Sequence, residues 1–256
     1  MHNDIPMDFM SNEEFCAERP RILQEIIALK NSRRVFLGQD MSLIFESPRL
    51  IWWQIQEILR VEQGDQEQLQ EEWAVYRSLI PSEHFLTATM MIEINDPVIR
   101  KKTLRKRIGI EHQLFLEGAG FRTQSEPVDI NSPDENSLGD EVIVQNSDRG
   151  TGDDSKDLAN DVVHDWVHAM PEENRIMEMS EADGIRAKPE DGKTSSVHFL
   201  RFPLNHTVRK ALALGEPVLS CHNRDALYRA PISRGLWISL CDDVGITPVH
   251  DDTAGD

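Results

Sequence analysis

Apolar residues in the first 80 positions recur every three or four residues, which is the period of amphipathic helices. Three helix-start signals precede these stripes, where short polar side chains can accept hydrogen bonds from the first exposed amides. The signals are Ser11 with Glu14 in a capping box, Ser47 before Pro48, and Asp65. The sequence therefore predicts helices over about 11–29, from 47 onward and over about 65–79, with a strand, turn and strand between 35 and 45.

A pattern of strand, helix, strand and strand occurs twice in the rest of the chain. The first copy begins with a strand at 86–94 and the second with a strand at 195–202. In each copy a turn containing Pro and Asn leads into the helix, and two further extended stretches follow. These two units predict an α+β fold in which the N-terminal helices pack on a mostly antiparallel sheet.

The segment 125–193 separates the two copies and carries 19 acidic and 6 basic residues. It is rich in Asp, Glu, Asn, Ser and Gly, so we predict a long acidic insertion that is largely disordered, since it cannot bury enough apolar surface to offset chain entropy. Within it, 157–170 has the apolar spacing of an amphipathic helix. The expected organisation is a loose leader at 1–10, one α+β domain formed by 11–124 and 194–241, and an acidic tail at 242–256.

The net charge of −18 comes from the insertion and the tail, because the rest of the chain holds 21 of the 45 acidic and 21 of the 27 basic residues. Nucleic-acid-binding domains present a basic surface, so we predict no nucleic-acid partner. The one dense basic cluster, Arg100 to Arg107, is either a solvated helix face or a contact for an anionic partner.

The chain also lacks the patterns typical of membrane and secreted proteins. No apolar run reaches the roughly 18 residues that a membrane span needs, and the first ten residues do not resemble a secretory signal. Three cysteines are too few for a disulfide framework. We therefore expect a cytoplasmic protein without membrane contact.

Several short motifs occur in a distinctive order and spacing. Among them are Arg33-Arg34-Val35, Gln54-Ile55-Gln56-Glu57, Gly109-Ile110-Glu111-His112, Lys193-Thr194-Ser195 and Val197-His198-Phe199. Together they resemble the bacterial domain-of-unknown-function 3501 family, over about 13–124 and 193–240. The chain departs from the family pattern near Arg224 to Tyr228, because His222 stands three residues away from the position of the family's histidine.

The resemblance implies no established activity. Members of the family are often encoded beside rubrerythrin-like proteins and beside an iron–sulfur protein similar to heterodisulfide reductase subunits. This context implies a redox or peroxide-defence pathway, with one of those two proteins as a partner.

Carboxylates and imidazoles are the side chains that bind iron, manganese and zinc. The candidate metal ligands are Glu46, Glu57, Glu93 and His198, and the candidate catalytic residues are Glu57, Glu111, His112 and His198. In the alternative interpretation Glu57 faces solvent and the other carboxylates form ion pairs with arginines, drawn from Arg33, Arg34, Arg60 and Arg201. A transition-metal cofactor is left open, and no nucleotide-binding loop or iron–sulfur ligand set occurs in the sequence.

Two functions remain. The leading hypothesis is an accessory or adaptor protein in a rubrerythrin and iron–sulfur redox pathway, because no catalytic motif is complete. The alternative is a small metal-dependent enzyme with a Glu/His site, so whether the chain is an enzyme stays open. An enzyme needs several of these groups converging on one pocket, whereas an adaptor needs an exposed apolar surface. We also expect a homodimer through the second helix, with Trp53 exposed at its contact.

Overall fold

The computed structural model describes residues 6–118, 120–130 and 192–249. The helices in these ranges are α1 Asn12–Arg33, α2 Pro48–Glu62, α3 Gln66–Tyr76, α4 Pro97–Lys106, α5 His206–Leu212 and α6 Arg234–Asp243. The strands are β1 Arg34–Phe36, β2 Met41–Phe45, β3 Phe85–Ile92, β4 Leu114–Gly118, β5 Phe121–Gln124, β6 Glu126–Pro127, β7 Val197–Pro203, β8 Val218–Asn223 and β9 Ala226–Pro231. The three predicted helix starts are confirmed, because Ser11, Ser47 and Asp65 each accept a hydrogen bond from the first turn of α1, α2 and α3.

The strands form two sheets in which every neighbouring pair is antiparallel. The five-stranded sheet has the order β1-β2-β3-β7-β6, and the four-stranded sheet has the order β5-β4-β8-β9. This arrangement confirms the predicted α+β class, with two sheets in place of one. The predicted repeated units are β3-α4-β4-β5 and β7-α5-β8-β9, and they pair strand for strand, because β3 lies beside β7 and β4 lies beside β8.

The main hydrophobic core lies between the two sheets. Alternate residues of a strand point to opposite faces, and Ala88 and Met90 of β3 therefore join Leu200 of β7 on the face towards the four-stranded sheet. Leu116 and Leu219 cover that face from the other side, and α6 adds further apolar side chains to the same cluster. The other face of the five-stranded sheet carries α1 and α2, which bury a second set of apolar residues.

The central part of α2 is buried on all sides, which corrects the prediction that Trp53 is exposed. Trp53 is only 3% exposed and packs against Phe15 of α1, with ring centroids 5.5 Å apart. Residues 8–10, expected to be part of a loose leader, lie against the other side of α2. There the indole of Trp52 donates to the carbonyl of Asp8 at 3.0 Å, and the side chain of Gln56 bonds both backbone groups of Met10 at 3.1 Å. An exposed Trp53 is therefore wrong, and the homodimer stays a prediction without that contact.

Two further stretches differ from the sequence prediction. Extended structure was expected from Ile108 onward, but Ile110–His112 form a short 3-10 turn before β4 begins. Glu126 and Pro127, within the predicted insertion, pair with β7 as the edge strand β6. The predicted helix 157–170 lies outside the described residues. Within the described ranges, no helix has the length and apolar character needed to cross a membrane.

Candidate functional site

Glu57 lies on α2 at the contact with α1 and is buried between two arginines. Its carboxylate accepts from Arg19 at 2.7 and 3.1 Å and from Arg60 at 3.1 and 2.8 Å. The alternative sequence interpretation, in which Glu57 faces solvent, is wrong, because the residue is 4% exposed. Both carboxylate oxygens are engaged by guanidinium groups, so Glu57 serves the packing of α1 on α2.

Glu46 and Lys30 occupy the layer between the helices and the five-stranded sheet. Glu46 follows β2, and its Oε1 accepts from Thr89 Oγ1 at 2.6 Å. Its Oε2 is buried and has no hydrogen-bond partner among the described residues. Burial raises the pKa of Glu46, and burial lowers the pKa of Lys30 to about 7, although the charges of Glu46 and Glu57 oppose the second shift. Burial in this layer therefore disfavours the charged form of both the acid and the lysine.

Sequence reasoning missed Lys30 as a site residue, although a signal was present. Ile22, Ile26 and Lys30 are spaced four residues apart and lie on the buried side of α1. Because a helix turns once in 3.6 residues, this spacing indicates one face. The signal was the continuation of an apolar stripe into a charged residue.

Arg33, at the end of α1, bonds both the end of β2 in the five-stranded sheet and residues of α6. Its guanidinium donates to the carbonyl oxygens of Phe45 and Glu46, each at 2.7 Å, and to Ser239 Oγ at 2.7 Å. It also pairs with Asp243 at the end of α6. Since these contacts use backbone carbonyls together with a hydroxyl and the carboxylate of Asp243, Arg33 is a structural link between α1, the end of β2 and α6.

Glu93 lies just beyond β3 and contacts residues of the neighbouring strands. Its Oε1 accepts from Ser42 Oγ at 2.5 Å and is 3.8 Å from Arg34 Nη1. The backbone amide of Ile92 donates to the carbonyl of Ser196 at 2.7 Å, which places Glu93 beside the start of β7. Glu93 and His198 therefore share this end of the sheet, and the Glu93 carboxylate is paired with Arg34.

Glu111 and His198 are the two candidate residues that the structure brings into contact. His198 Nδ1 is 3.9 Å from Glu111 Oε2, and His198 Nε2 is 2.9 Å from the carbonyl oxygen of Ser195. Thr194 Oγ1 lies 3.2 Å from the same Nε2. His112, the candidate next to Glu111 in the sequence, is exposed in the 3-10 turn. Thr194 has no sequence signal as a site residue, because its contact depends on how β7 begins.

The surroundings of His198 decide what the pair can do chemically. Burial lowers the pKa of His198, and the charge of Glu111 and the Ser195 carbonyl oppose that shift. A carbonyl oxygen only accepts, so Nε2 carries its proton and cannot act as a base towards Thr194 while that bond exists. The pair is suited to hold or release one proton at Nδ1, beside the buried Oε2 of Glu111, which has no hydrogen-bond partner among the described residues.

The described residues do not bring three metal-binding side chains together. Within residues 6–118, 120–130 and 192–249, no group of three His, Cys, Asp or Glu could hold a metal ion. Glu57 and Glu93 are paired with arginines, while Glu46 bonds Thr89. Glu111 and His198 alone offer two ligands from the candidate set. The donor set is therefore incomplete for the four ligands of a typical zinc site.

His222 lies on the outer face of the four-stranded sheet. Its Nε2 is 3.2 Å from Ser220 Oγ and 3.6 Å from Glu117 Oε1, and its ring meets the edge of Phe115 with centroids 5.0 Å apart. His222, the displaced histidine, therefore belongs to a different sheet from His198, which lies on β7 of the five-stranded sheet. It takes part in a surface cluster with Glu117 and has no contact with the Glu111–His198 pair.

Three distant parts of the chain meet at one end of the molecule. Arg107, after α4, pairs with Asp40 of the β1–β2 turn at 2.7 Å, and Lys106 pairs with Asp225 of the β8–β9 turn at 3.3 Å. Gly38 lies against the ring of Tyr228. Two exposed apolar residues, Ile108 and Leu227, lie on the segments that the Lys106–Asp225 ion pair joins, and we term them the junction surface; they are 57% and 73% exposed. Phe36 is 61% exposed and pairs with Ser42 on the helix side of the five-stranded sheet, whereas Leu227 pairs with His222 on the outer face of the four-stranded sheet, so Phe36 lies on a different face.

Comparison with known proteins gives a family and a fold. A family model described as "Protein of unknown function (DUF3501)" matches residues 5–141, more than half of the chain. A crystal structure described as a novel protein of unknown function from Burkholderia pseudomallei K96243 is similar, with a TM-score of 0.65 and 23% identity. That similarity covers 92% of this chain and 96% of the other, and at this identity it shows the fold alone. No curated protein matches the chain.

Proposed function

Because the chain belongs to the DUF3501 family, whose description assigns no activity, we propose from its structure that it is an adaptor protein of a redox or peroxide-defence pathway. Its partner in this proposal is a rubrerythrin-like or iron–sulfur protein in the cytoplasm. The observation that supports an adaptor is the junction surface, where Ile108 and Leu227 are exposed on segments that the Lys106–Asp225 ion pair holds side by side. Exposed apolar side chains on neighbouring segments are typical of protein contacts.

The state of the candidate site residues also favours binding over catalysis. Glu57 accepts four hydrogen bonds from two arginines, and Glu93 is paired with Arg34 and Ser42. Guanidinium groups occupy both oxygens of Glu57, which leaves that carboxylate no free oxygen with which to bind a metal ion or a substrate, and Arg34 and Ser42 compete for Oε1 of Glu93. The pathway itself comes from the resemblance, through the proteins that are often encoded beside members of the family.

Binding to purified partners tests the adaptor function. The full chain is titrated by calorimetry with the rubrerythrin-like protein of the same organism and, separately, with the heterodisulfide-reductase-like iron–sulfur protein. We expect saturable binding to one of them with a Kd of about 10 μM or tighter. Absence of binding to both proteins at concentrations well above this value would contradict the proposal.

The contact between Glu111 and His198 favours a second candidate, a small metal-dependent enzyme. Two ligands 3.9 Å apart at a partly buried position could hold iron, manganese or zinc if further ligands complete the set. Protein purified without a tag or chelator is analysed by inductively coupled plasma mass spectrometry, together with His198→Ala. The matched control is His222→Ala, which removes a histidine that also lies near a glutamate.

The adaptor proposal predicts no stoichiometric metal in any of these three proteins. Stoichiometric metal in the wild type and in His222→Ala, with loss in His198→Ala, would favour the enzyme. A metal content that both substitutions leave unchanged would exclude the Glu111–His198 pair as its site.

A further inference from the structure

Helix α4 divides its side chains between two faces of different character. Arg100, Leu104 and Arg107 follow one another at intervals of four and three residues and are buried against the body. The opposite face carries Lys101, Lys102 and Arg105, which are exposed, and begins with Val98 and Ile99, which are 76% and 55% exposed. The basic cluster Arg100 to Arg107, whose role the sequence did not decide, is therefore divided between a buried and an exposed face. Its exposed part consists of cations next to two apolar residues.

Among the described residues, few acidic side chains compensate the charges on this outer face. The ten residues of α4 include five cations and no acid. Lys106 pairs with Asp225, whereas Lys101, Lys102 and Arg105 form no ion pair with any residue in the described ranges. Lys101 and Arg105 stand four residues apart, as do Lys102 and Lys106, and like charges at this spacing repel each other. An anionic partner would relieve this repulsion.

We propose that the outer face of α4, formed by Val98, Ile99, Lys101, Lys102 and Arg105, is the docking surface for an acidic segment of the partner protein. The proposal rests on the adaptor function and specifies the partner's chemistry. The four-residue spacing of the cations matches carboxylates on one face of a partner helix, and Val98 and Ile99 offer an apolar contact beside them. Lys106 and Ile108 connect this face to the junction surface, so one partner can cover both.

The arrangement favours a protein partner over a lipid surface. An interfacial membrane helix places a wide apolar face into the bilayer and its cations at the rim. In α4 the side that points towards the body is packed through Leu104, and two apolar residues at one end are all that the exposed part of the helix offers. Opposite charges on two proteins steer their association and set the register of the contact. The exposed cations of α4 therefore suit a folded protein partner better than a lipid surface.

Charge reversal on α4 tests the docking surface in the full chain. The variant Lys101→Glu/Arg105→Glu is compared with Lys210→Glu/Arg234→Glu, which makes the same charge change at two exposed positions on other helices. The probes are the rubrerythrin-like and iron–sulfur proteins of the adaptor titration. We expect the α4 variant to raise the Kd at least tenfold and the control to change it less than twofold. Added sodium chloride should weaken wild-type binding more than the residual binding of the α4 variant.

Removal of the apolar part provides a second test. Val98→Ser/Ile99→Ser leaves every cation in place, and we expect it to raise the Kd at least threefold, with little change in salt dependence. Circular dichroism and urea unfolding establish that each variant is folded. A variant that fails to fold is replaced by Lys101→Gln/Arg105→Gln, which removes the charges without introducing acids.

Each outcome separates this inference from the adaptor function. If the wild type binds a partner and the α4 variants bind it equally well, the docking surface is overturned while the adaptor function stands. Tighter binding by the charge-reversed variant would overturn the docking surface, because it would show that the partner binds acidic residues of this chain. Sedimentation of the wild type with phosphatidylserine vesicles, without binding to either protein, would overturn both proposals in favour of a lipid surface.

Discussion

At the scale of single residues, the most unusual feature of the protein is a lysine held in the layer between the helices and the larger sheet. Burial lowers the pKa of Lys30 from 10.5 to about 7, and it also raises the pKa of Glu46. Between pH 7 and pH 10.5, Lys30 of the unfolded chain carries a proton that Lys30 of the folded protein has released. By linkage, the free energy of unfolding must rise with pH from about 7 to 10.5 because of this residue.

Lys30→Met removes the titrating group and keeps the length of the side chain. We expect the unfolding free energy of the wild type to rise between pH 7 and 10 with a slope of up to about 1.4 kcal/mol per pH unit. The Lys30→Met variant should lack this rise. Urea unfolding at a series of pH values measures both slopes, and Lys210→Met, an exposed lysine, should behave as the wild type does. Equal slopes for the wild type and Lys30→Met would show that Lys30 keeps its ordinary pKa in the fold.

The sequence offered candidate residues but did not show which of them would lie together. Glu111, His112 and His198 were all selected from the sequence, and nothing in it indicated which histidine would contact Glu111. The actual partner comes from β7, whose first residues approach the 3-10 turn only after the sheet has formed. Partners so far apart in the chain depend on tertiary structure, which local patterns do not encode.

At the scale of elements, the turn between β1 and β2 shows how a local signal acquires a tertiary role. The strand, turn and strand around Gly38 were predicted from the sequence, and the structure confirms them. Gly38 has a φ of +73°, which favours glycine. A Cβ at this position would also lie 2.5 Å from the ring of Tyr228, so the turn and β9 can approach only because the side chain is missing.

Gly38→Ala should therefore destabilise the protein more than a backbone effect alone explains. The matched control is Gly109→Ala, where φ is +79° and a Cβ would meet no atom within 4 Å. The control should cost about 1–2 kcal/mol for the left-handed conformation. Gly38→Ala should cost about 1–3 kcal/mol more, because the ring of Tyr228 must move. Urea unfolding of both variants measures the difference, and equal losses would show that the ring moves aside freely.

The helices were easier to predict than the sheets. Caps such as Ser11 and Asp65 act on the next few residues, so they are visible in the sequence and are confirmed in the structure. The division of the strands into two sheets was not predicted, because β3 and β4 of one unit separate into different sheets and pair with β7 and β8 of the other. Strand pairing between distant segments depends on the whole core.

At the scale of the whole molecule, the two repeated units form the framework of the described residues. Their strands pair with each other in both sheets, and Arg33 links α1 to α6 across the first and last parts of the described chain. The junction surface forms where the end of α4 and the start of β9 meet. Its apolar residues come from two separate parts of the chain, so no single stretch of sequence could predict it.

The most direct test of the adaptor function is the loss of partner binding when the junction surface is made polar. Calorimetric titration compares the wild type with Ile108→Ser/Leu227→Ser. The control is Leu214→Ser/Ile238→Ser, which changes two exposed apolar residues elsewhere. We predict that the rubrerythrin-like or the iron–sulfur protein binds the wild type and the control alike and binds the junction variant at least tenfold more weakly. Equal binding by all three proteins, or binding by none, would contradict the account.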